Sequence, residues 1–270
     1  MAYADTMPPA GRFGQTARRD AWWVQPLLVF LGFAAFIVYS TWAAFQGGHY
    51  WFNGNGADYL SPFYSPEIFG SYHPLFGSAP AWWPSWLPAF SPAFLILWAP
   101  AGFHFTCYYY RGAYYKAFWA DPPNCSVGEP RQVYLGERSF PLIMQNIHRY
   151  FMYLAVIFIF ILAYDAWQAM WFTENGVKHF GFGVGTLVLV VNDVLLASYT
   201  FGCHSLRHLI GGFLDAPSKV PACAKSYACV SCLNRRHMLW AWISLFWVGF
   251  SDVYIRLCAT GYLHDYSWHF

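Results

Sequence analysis

Cysteine and histidine, the soft donors of metal and redox chemistry, are unevenly placed in this chain. Cys229-Val-Ser-Cys232 has the short spacing by which two thiolates chelate one metal atom, and His237 follows five residues later. His204 and His208 lie one helical turn apart, so both imidazoles share one side of a helix. Cys203 precedes them, Cys223 precedes the cysteine pair, and Cys107 and Cys125 flank the end of another apolar segment. Two sulfurs on one atom and two imidazoles on a second make the donor set of a Rieske-type [2Fe-2S] centre, whereas four ligands on one atom make a structural zinc site. The expected ligands are Cys229, Cys232, His208, His204, His237 and Cys223, with His148 and Cys125 as further members. A b-type haem is the competing use of the imidazoles. His104 lies inside an apolar segment where His204 can face it, and His148 and His237 complete the candidates.

A second set is acidic. Asp165, Asp193 and Asp252 are each the lone acid of an apolar segment, and an ionisable group inside a bilayer costs roughly 2.5 to 3.5 kcal/mol on insertion scales. Arg256 stands one turn beyond Asp252 and can pair with it. Asp193, beside Asn192, is at the depth of a proton donor or acceptor facing an internal cavity. The abundant aromatic residues suit a flat apolar ligand such as a quinone. The expected catalytic groups are Asp193, Asp252 and Arg256, with Asp165 and His104 also lining the quinone site.

The elements that must position these residues follow from composition. Only 15 Lys or Arg and 13 Asp or Glu occur in 270 residues, against 57% hydrophobic and 23% aromatic residues, more apolar surface than one small core can bury. Lipid must cover the rest. A net charge of +2, dispersed along the chain, excludes a nucleic-acid partner. Seven cysteines are too few for a disulfide scaffold. Five segments have the length and near absence of charge of a membrane-spanning helix: Trp22 to Phe45, Pro92 to Tyr110, Tyr150 to Trp171, Phe180 to Gly202 and Met238 to Ile255. The expected fold is therefore all-α, an integral bundle of five transmembrane helices spanning 22–257. A polar arm, 1–21, precedes the first segment, which is too long for the apolar core of a signal peptide.

Thirteen of the fifteen basic residues fall in the N-terminal arm and in the connections 111–149 and 203–237, leaving Lys178 and Arg256 for the opposite side. Basic loops stay inside, so the N-terminus is expected in the cytoplasm and the tail 258–270 outside the plasma membrane. The Cys/His ring then lies mostly at the inner face, where thiols are kept reduced. Metal or redox chemistry is expected there before a disulfide, and a thiol-oxidising enzyme is disfavoured. The connection 46–91 has no Lys or Arg, many aromatic residues including Trp82, Trp83 and Trp86, and repeated prolines, and reads as a cap at the outer interface.

The segment His204-Ser-Leu-Arg-His208-Leu209, closing a span and followed by Asp215, resembles the Arg-His-Leu signature of the membrane anchors of succinate:quinone oxidoreductase, respiratory complex II. Asn146-Ile-His148-Arg-Tyr150 and Cys107-Tyr-Tyr-Tyr-Arg111 are similar to segments of the single-chain actinobacterial anchors. The resemblance implies an inner-face platform for an iron-sulfur subunit and a flavoprotein subunit, with electrons from succinate reaching a membrane quinone. Di-haem anchors of this type carry ligating histidines in the first span, and here that span has none, so a [2Fe-2S] relay is expected in place of haem. No glycine-rich nucleotide fingerprint is present, which leaves flavin chemistry to a partner. The reading of another class is a transporter or channel with a structural zinc site and the three acids along its pathway.

Overall fold

The computed structural model describes residues 20–78, 80–84, 90–118, 139, 143–212 and 219–270. Arg12, Arg18, Arg19, Trp86, Cys125, Arg131, Arg138 and Asp215 lie outside the described residues. Among the described residues four helices are long and apolar enough to cross a membrane: α1 (Val24–Gln46), α5 (Ile143–Gln168, with the apolar stretch Asn146–Gln168), α6 (Val184–Phe201) and α9 (His237–Ala259). The second expected span is instead built of three pieces, α2 (Ala93–Ile96), α3 (Trp98–Thr106) and α4 (Tyr108–Phe118). Pro100 accounts for the first break. It has no N–H for the carbonyl of Ile96, and its ring crowds that carbonyl, while the ladder resumes with Ala101 N donating to Leu97 O at 2.9 Å. At the second break Cys107 N bonds the His104 carbonyl, 3.2 Å, three residues back, and Arg111 N then reaches Cys107 O at 2.8 Å.

The chain divides into two compact units, residues 1–35 with 104–147 and residues 36–103 with 148–270. The first is held by aromatic contacts, Phe30 against Phe118 at 4.8 Å between ring centroids and Phe33 against Tyr110 at 5.2 Å. In the second, α6 and α9 run antiparallel. Trp247 Nε1 donates to the carbonyl of Val188 at 3.0 Å, and Tyr199 stacks on His237 at 4.9 Å, which fixes their register. Shorter helices α7 (His204–Gly211) and α8 (Pro221–Asn234) connect the two.

Two small sheets depart from the all-α expectation. Strands β1 (Trp51–Gly54) and β2 (Ala57–Leu60) form one hairpin, and β3 (Trp171–Glu174), β4 (Val177–Gly183) and β5 (Ser267–His269) form a three-stranded antiparallel sheet. Both two-residue turns are Asn-Gly, with positive φ at Asn55 and Gly56 and at Asn175 and Gly176, as a turn matched to strand twist requires. The hairpins meet where Thr173 N donates to Gly56 O at 2.9 Å. Both lie at the distal end of the second unit, opposite the end that carries His148 and His237.

Between the sheets the chain plugs this distal end. Ser61 to Ser65 are all buried, as are Tyr59 and Glu67. Glu67 accepts from Tyr50 Oη at 2.6 Å and from the backbone N–H groups of Ser71 (2.8 Å) and His73 (2.5 Å), closing a loop on itself. Asp265, in the C-terminal segment, accepts from Tyr59 Oη (2.9 Å), Tyr254 Oη (2.6 Å) and Gly185 N at the start of α6 (2.9 Å). Burial first, and then the neighbouring carboxylate, holds the Tyr50 hydroxyl well above the usual tyrosine range. Tyr59 is raised mainly by burial as well. Both remain donors at any physiological pH.

The two turn glycines differ in surroundings, which gives a test of the hairpin contact. A Cβ at Gly56 would sit 2.8 Å from the Thr173 carbonyl oxygen, whereas at Gly176 nothing lies within 4 Å. Gly176→Ala should cost only the left-handed backbone penalty, about 1–2 kcal/mol. Gly56→Ala should cost more, because the β3 backbone must also move. Thermal melting of the purified protein with its partners ranks the two, and equal losses would deny the contact a stabilising role.

Candidate functional site

The end that carries His148 and His237 gathers imidazole and sulfur in a frame of aromatic rings. His148, near the start of α5, is buried, and its Nε2 lies 3.1 Å from Sγ of Cys203, which is buried too. Phe103 stacks on the His148 ring at 4.7 Å and 8° and meets Tyr199 edge-on at 5.3 Å, and Tyr199 in turn stacks on His237. Flat contacts on both rings help fix the imidazole planes, in addition to the His148 nitrogen contact with Cys203. His237 lies within electrostatic reach of both His148 and His204, and His204 and His208 touch at 4.6 Å between centroids. Cys203 is also the N-cap of α7, where its sulfur accepts from Ser205 N at 3.3 Å, a position that favours negative charge. Desolvation, followed by the charges of His208 and Arg207, holds His204 below the ordinary histidine value, which keeps its lone pair free at neutral pH.

The cysteine pair expected to lead this site is elsewhere. On α8 the residues turned toward α7 are Cys223, whose Sγ donates to Ile210 O at 3.0 Å, Tyr227 beneath Arg207, and Ser231, which accepts from Arg207 Nε at 3.1 Å. Asn234 Nδ2 continues the same face and donates to Gly202 O at 2.8 Å. Helical periodicity therefore turns Cys229 and Cys232 away from His204 and His208, and both thiols are exposed. Among the described residues no three His, Cys, Asp or Glu side chains converge as a metal site. Cys229 and Cys232 are therefore not brought to His204 and His208, and what the fold assembles is the His148–Cys203 contact with His237 and His204 beside it. His104 packs against Tyr110 in the first unit, at 5.2 Å.

The acids divide into fastened and unfastened groups. Asp252 is fully buried, and its Oδ2 accepts from Arg256 Nε and from Tyr39 Oη, both at 2.6 Å, while its Oδ1 accepts from Ser61 Oγ. Arg256 spends its other nitrogens on backbone, Nη1 on Gly48 O at 2.8 Å and Nη2 on Ala43 O at 3.1 Å, with Trp42 and Tyr64 rings flanking it. Asp165 accepts from Ser65 Oγ. Ser61 and Ser65, four residues apart, thus tie the buried plug to α9 and to α5. Asp193, midway along α6, is different: its Oδ1 is buried with no hydrogen-bond partner among the described residues, as is Oδ1 of the adjacent Asn192. Tyr39, Ser61 and Cys203 were not among the expected site residues. Only Cys203 carried a sequence signal, through its place next to His204.

A model of the actinobacterial succinate dehydrogenase subunit SdhC family matches residues 24–261. Among solved structures, this chain is similar to a chain of the Mycobacterium smegmatis Sdh1 complex in the apo form. The TM-score is 0.81 at 43% sequence identity, over 96% of each chain. No curated protein gives a match.

The Asp252–Arg256 pair yields a double-substitution test. Arg256→Met leaves a carboxylate buried without its cation and should cost about 3–5 kcal/mol, whereas Asp252→Asn combined with Arg256→Met should recover most of that loss. Melting temperatures of the two purified variants decide it. A single variant as stable as the double would mean the ion pair fastens nothing.

Proposed function

This chain belongs to the actinobacterial SdhC family of succinate dehydrogenase and is a multi-pass membrane subunit; on that premise we propose that it anchors a succinate:quinone oxidoreductase and reduces a membrane quinone. The observation that carries the reading is the family match over nearly the whole chain, and it displaces the transporter alternative. In this reading an iron-sulfur subunit and a flavoprotein subunit dock on the end that carries His148 and His237. The flavoprotein oxidises succinate, and electrons enter the anchor at that end. The Lys and Arg distribution supports five crossings with the N-terminus inside, the broken run from Ala93 to Phe118 supplying the second crossing.

The redox relay is placed at His148 and Cys203. Their contact, the ring-fixed His237 and the capping position of Cys203 support it, with His204 and His208 at its rim. One thiol and the imidazoles would supply part of the ligand set of a [2Fe-2S] centre or, through the imidazoles alone, would hold haem b, and such a group would supply one-electron steps between partner and quinone. The chain's own contribution is to exclude water with Phe103 and Tyr199 and to hold the two imidazoles in fixed planes.

Reducing a quinone to a quinol takes two electrons and two protons, so the site needs a titratable group that can exchange a proton. Asp193 has the buried, unpartnered carboxylate oxygen that such a role requires, and Asn192 offers a second acceptor beside it. Asp252 and Arg256 have their polar atoms committed to the plug and act on the site by holding the distal end closed. Asp165 is fastened by Ser65 and lies within electrostatic reach of Asp193.

Two measurements test the reading. Iron and acid-labile sulfide should fall in the purified complex carrying Cys203→Ser and stay at wild-type level in Cys229→Ser. The opposite pattern would return the centre to the α8 cysteines, and sharp reduced bands in the visible spectrum would identify haem. Asp193→Asn should slow quinone reduction about a hundredfold, the lower range for loss of a general acid or base. The spectrum and the subunit composition should be unchanged. Wild-type turnover in that variant would remove Asp193 from the site.

A further inference from the structure

The three-stranded sheet has two faces of opposite character. Phe172, Gly181 and Gly183 are turned inward, and Phe172 is packed in the core with Tyr59, Val188 and Ile255. Strand alternation places Lys178, Phe180 and Phe182 of β4 on the other face, all exposed. Across the ladder Phe180 pairs with Trp171 and Phe182 with Trp268, so the outward face is a run of large rings carrying one cation. Trp268 is 65% exposed and Phe182 48%. In water such a face would be a costly apolar patch on a small sheet.

What covers it is indicated by the element that leads into it. Ile157, Phe160, Tyr164 and Trp167 form an exposed stripe at helical spacing along α5, a helix long and apolar enough to cross a membrane. That stripe does not stop at the helix end. Trp167 meets Trp171 edge-on at 5.7 Å, Trp171 meets Phe180 at 5.5 Å, and Phe180 meets Phe182 at 5.1 Å, an unbroken chain of ring contacts from the helix onto the sheet. The exposed apolar surface of α5 therefore continues onto the strands, and lipid that covers the one also covers the other. Lys178 lies at the end of this run, toward the Asn175-Gly176 turn, and it is the one Lys or Arg in the connections at the distal end. A lysine stem lying along apolar surface with its ammonium at the polar boundary matches the height of a lipid headgroup.

We propose that the β3–β4–β5 sheet is an interfacial paddle, lying in the headgroup layer of the membrane with Phe180, Phe182 and Trp268 among the lipid chains and Lys178 paired with a phospholipid phosphate. Strands ordinarily avoid lipid because of unpaired backbone groups. Here β4, which carries Phe180 and Phe182, is the middle strand, with neighbours on both sides satisfying its ladder, and Trp268 stands on the β5 edge opposite Phe182. The inference uses only the membrane-spanning character of α5 and is independent of the quinone chemistry proposed above.

A photo-crosslinking residue tests the occupant directly. The complete complex is reconstituted in vesicles of phosphatidylcholine and phosphatidylglycerol with p-benzoylphenylalanine in place of Phe182, and in a parallel sample in place of Phe160 on the α5 stripe. After irradiation, mass spectrometry of the chain should find lipid adducts at both positions. A protein adduct at position 182, from a partner subunit or a second copy of this chain, would overturn the proposal, as would a lipid adduct at 160 alone. Replacement of Trp268 probes the same face should the Phe182 variant fail to assemble. Lys178→Ala in the Phe182 probe background should lower the phosphatidylglycerol share of the adducts several-fold, and an unchanged share would dismiss the phosphate pairing.

Discussion

Burying a carboxylate in an apolar bundle is the constraint on which the distal end of this molecule depends. Asp252 is fully enclosed, so every acceptor position left without a donor would carry the full desolvation penalty. Arg256, one turn along the same helix, answers the charge, but it brings its own donors into the apolar region. Those are satisfied by the carbonyls of Ala43 and Gly48 where α1 ends, and the remaining carboxylate positions by Tyr39 of α1 and Ser61 of the plug. One ion pair on α9 thus determines where α1 stops, where the chain turns back and which residues seal the bundle. The same logic repeats at Glu67 and Asp265, each enclosed and each answered by tyrosine hydroxyls and backbone N–H groups.

That distal closure sets a contrast with the opposite end. There the buried polar groups are imidazole and thiol, which can be held neutral and therefore cost far less to enclose than charges. Their planes are set by ring stacking, and His148 and Cys203 also engage each other, with Ser205 N on the sulfur. Asp193 stands between the two regimes, a carboxyl with one buried oxygen that the fold positions and leaves unanswered.

Much of this was legible in the sequence. The long uncharged segments gave four of the expected helices directly, because length and absence of charge are all that crossing a bilayer demands. Pro100 was visible, yet its effect on the second segment depends on whether neighbouring groups take over the lost hydrogen bond, which composition does not state. The hairpins were signalled by Asn55-Gly56 and Asn175-Gly176 between aromatic and β-branched residues, a local pattern masked by the stronger apolar signal around it. The Cys229–Cys232 pair lies on the exposed side of α8 for a definite reason. In a loop such spacing lets two thiolates turn onto one atom, but on a helix both point where the helix face points, and α8 is oriented by Tyr227, Ser231 and Asn234. The soft pair that does meet, His148 and Cys203, is separated by 55 residues, and only the packing of α5 against the end of α6 brings it together.

The aromatic abundance, first read as a sign of lipid, proves to have three separate physical uses. Phenols supply neutral donors to buried carboxylates at Tyr39, Tyr50, Tyr59 and Tyr254, a task that lysine or arginine would perform only by burying another charge. Flat rings at Phe103 and Tyr199 orient imidazoles without competing for their nitrogens. The third group, along α5 and onto the β4 strand, faces outward, its rings meeting one another rather than the core. Each use demands a different part of the same side chain: the hydroxyl, the ring face or the apolar bulk. A chain so poor in formal charge can therefore still build a polar fastening, a ring-framed Cys/His cluster and an outward apolar surface, because one residue class carries all three at low electrostatic cost.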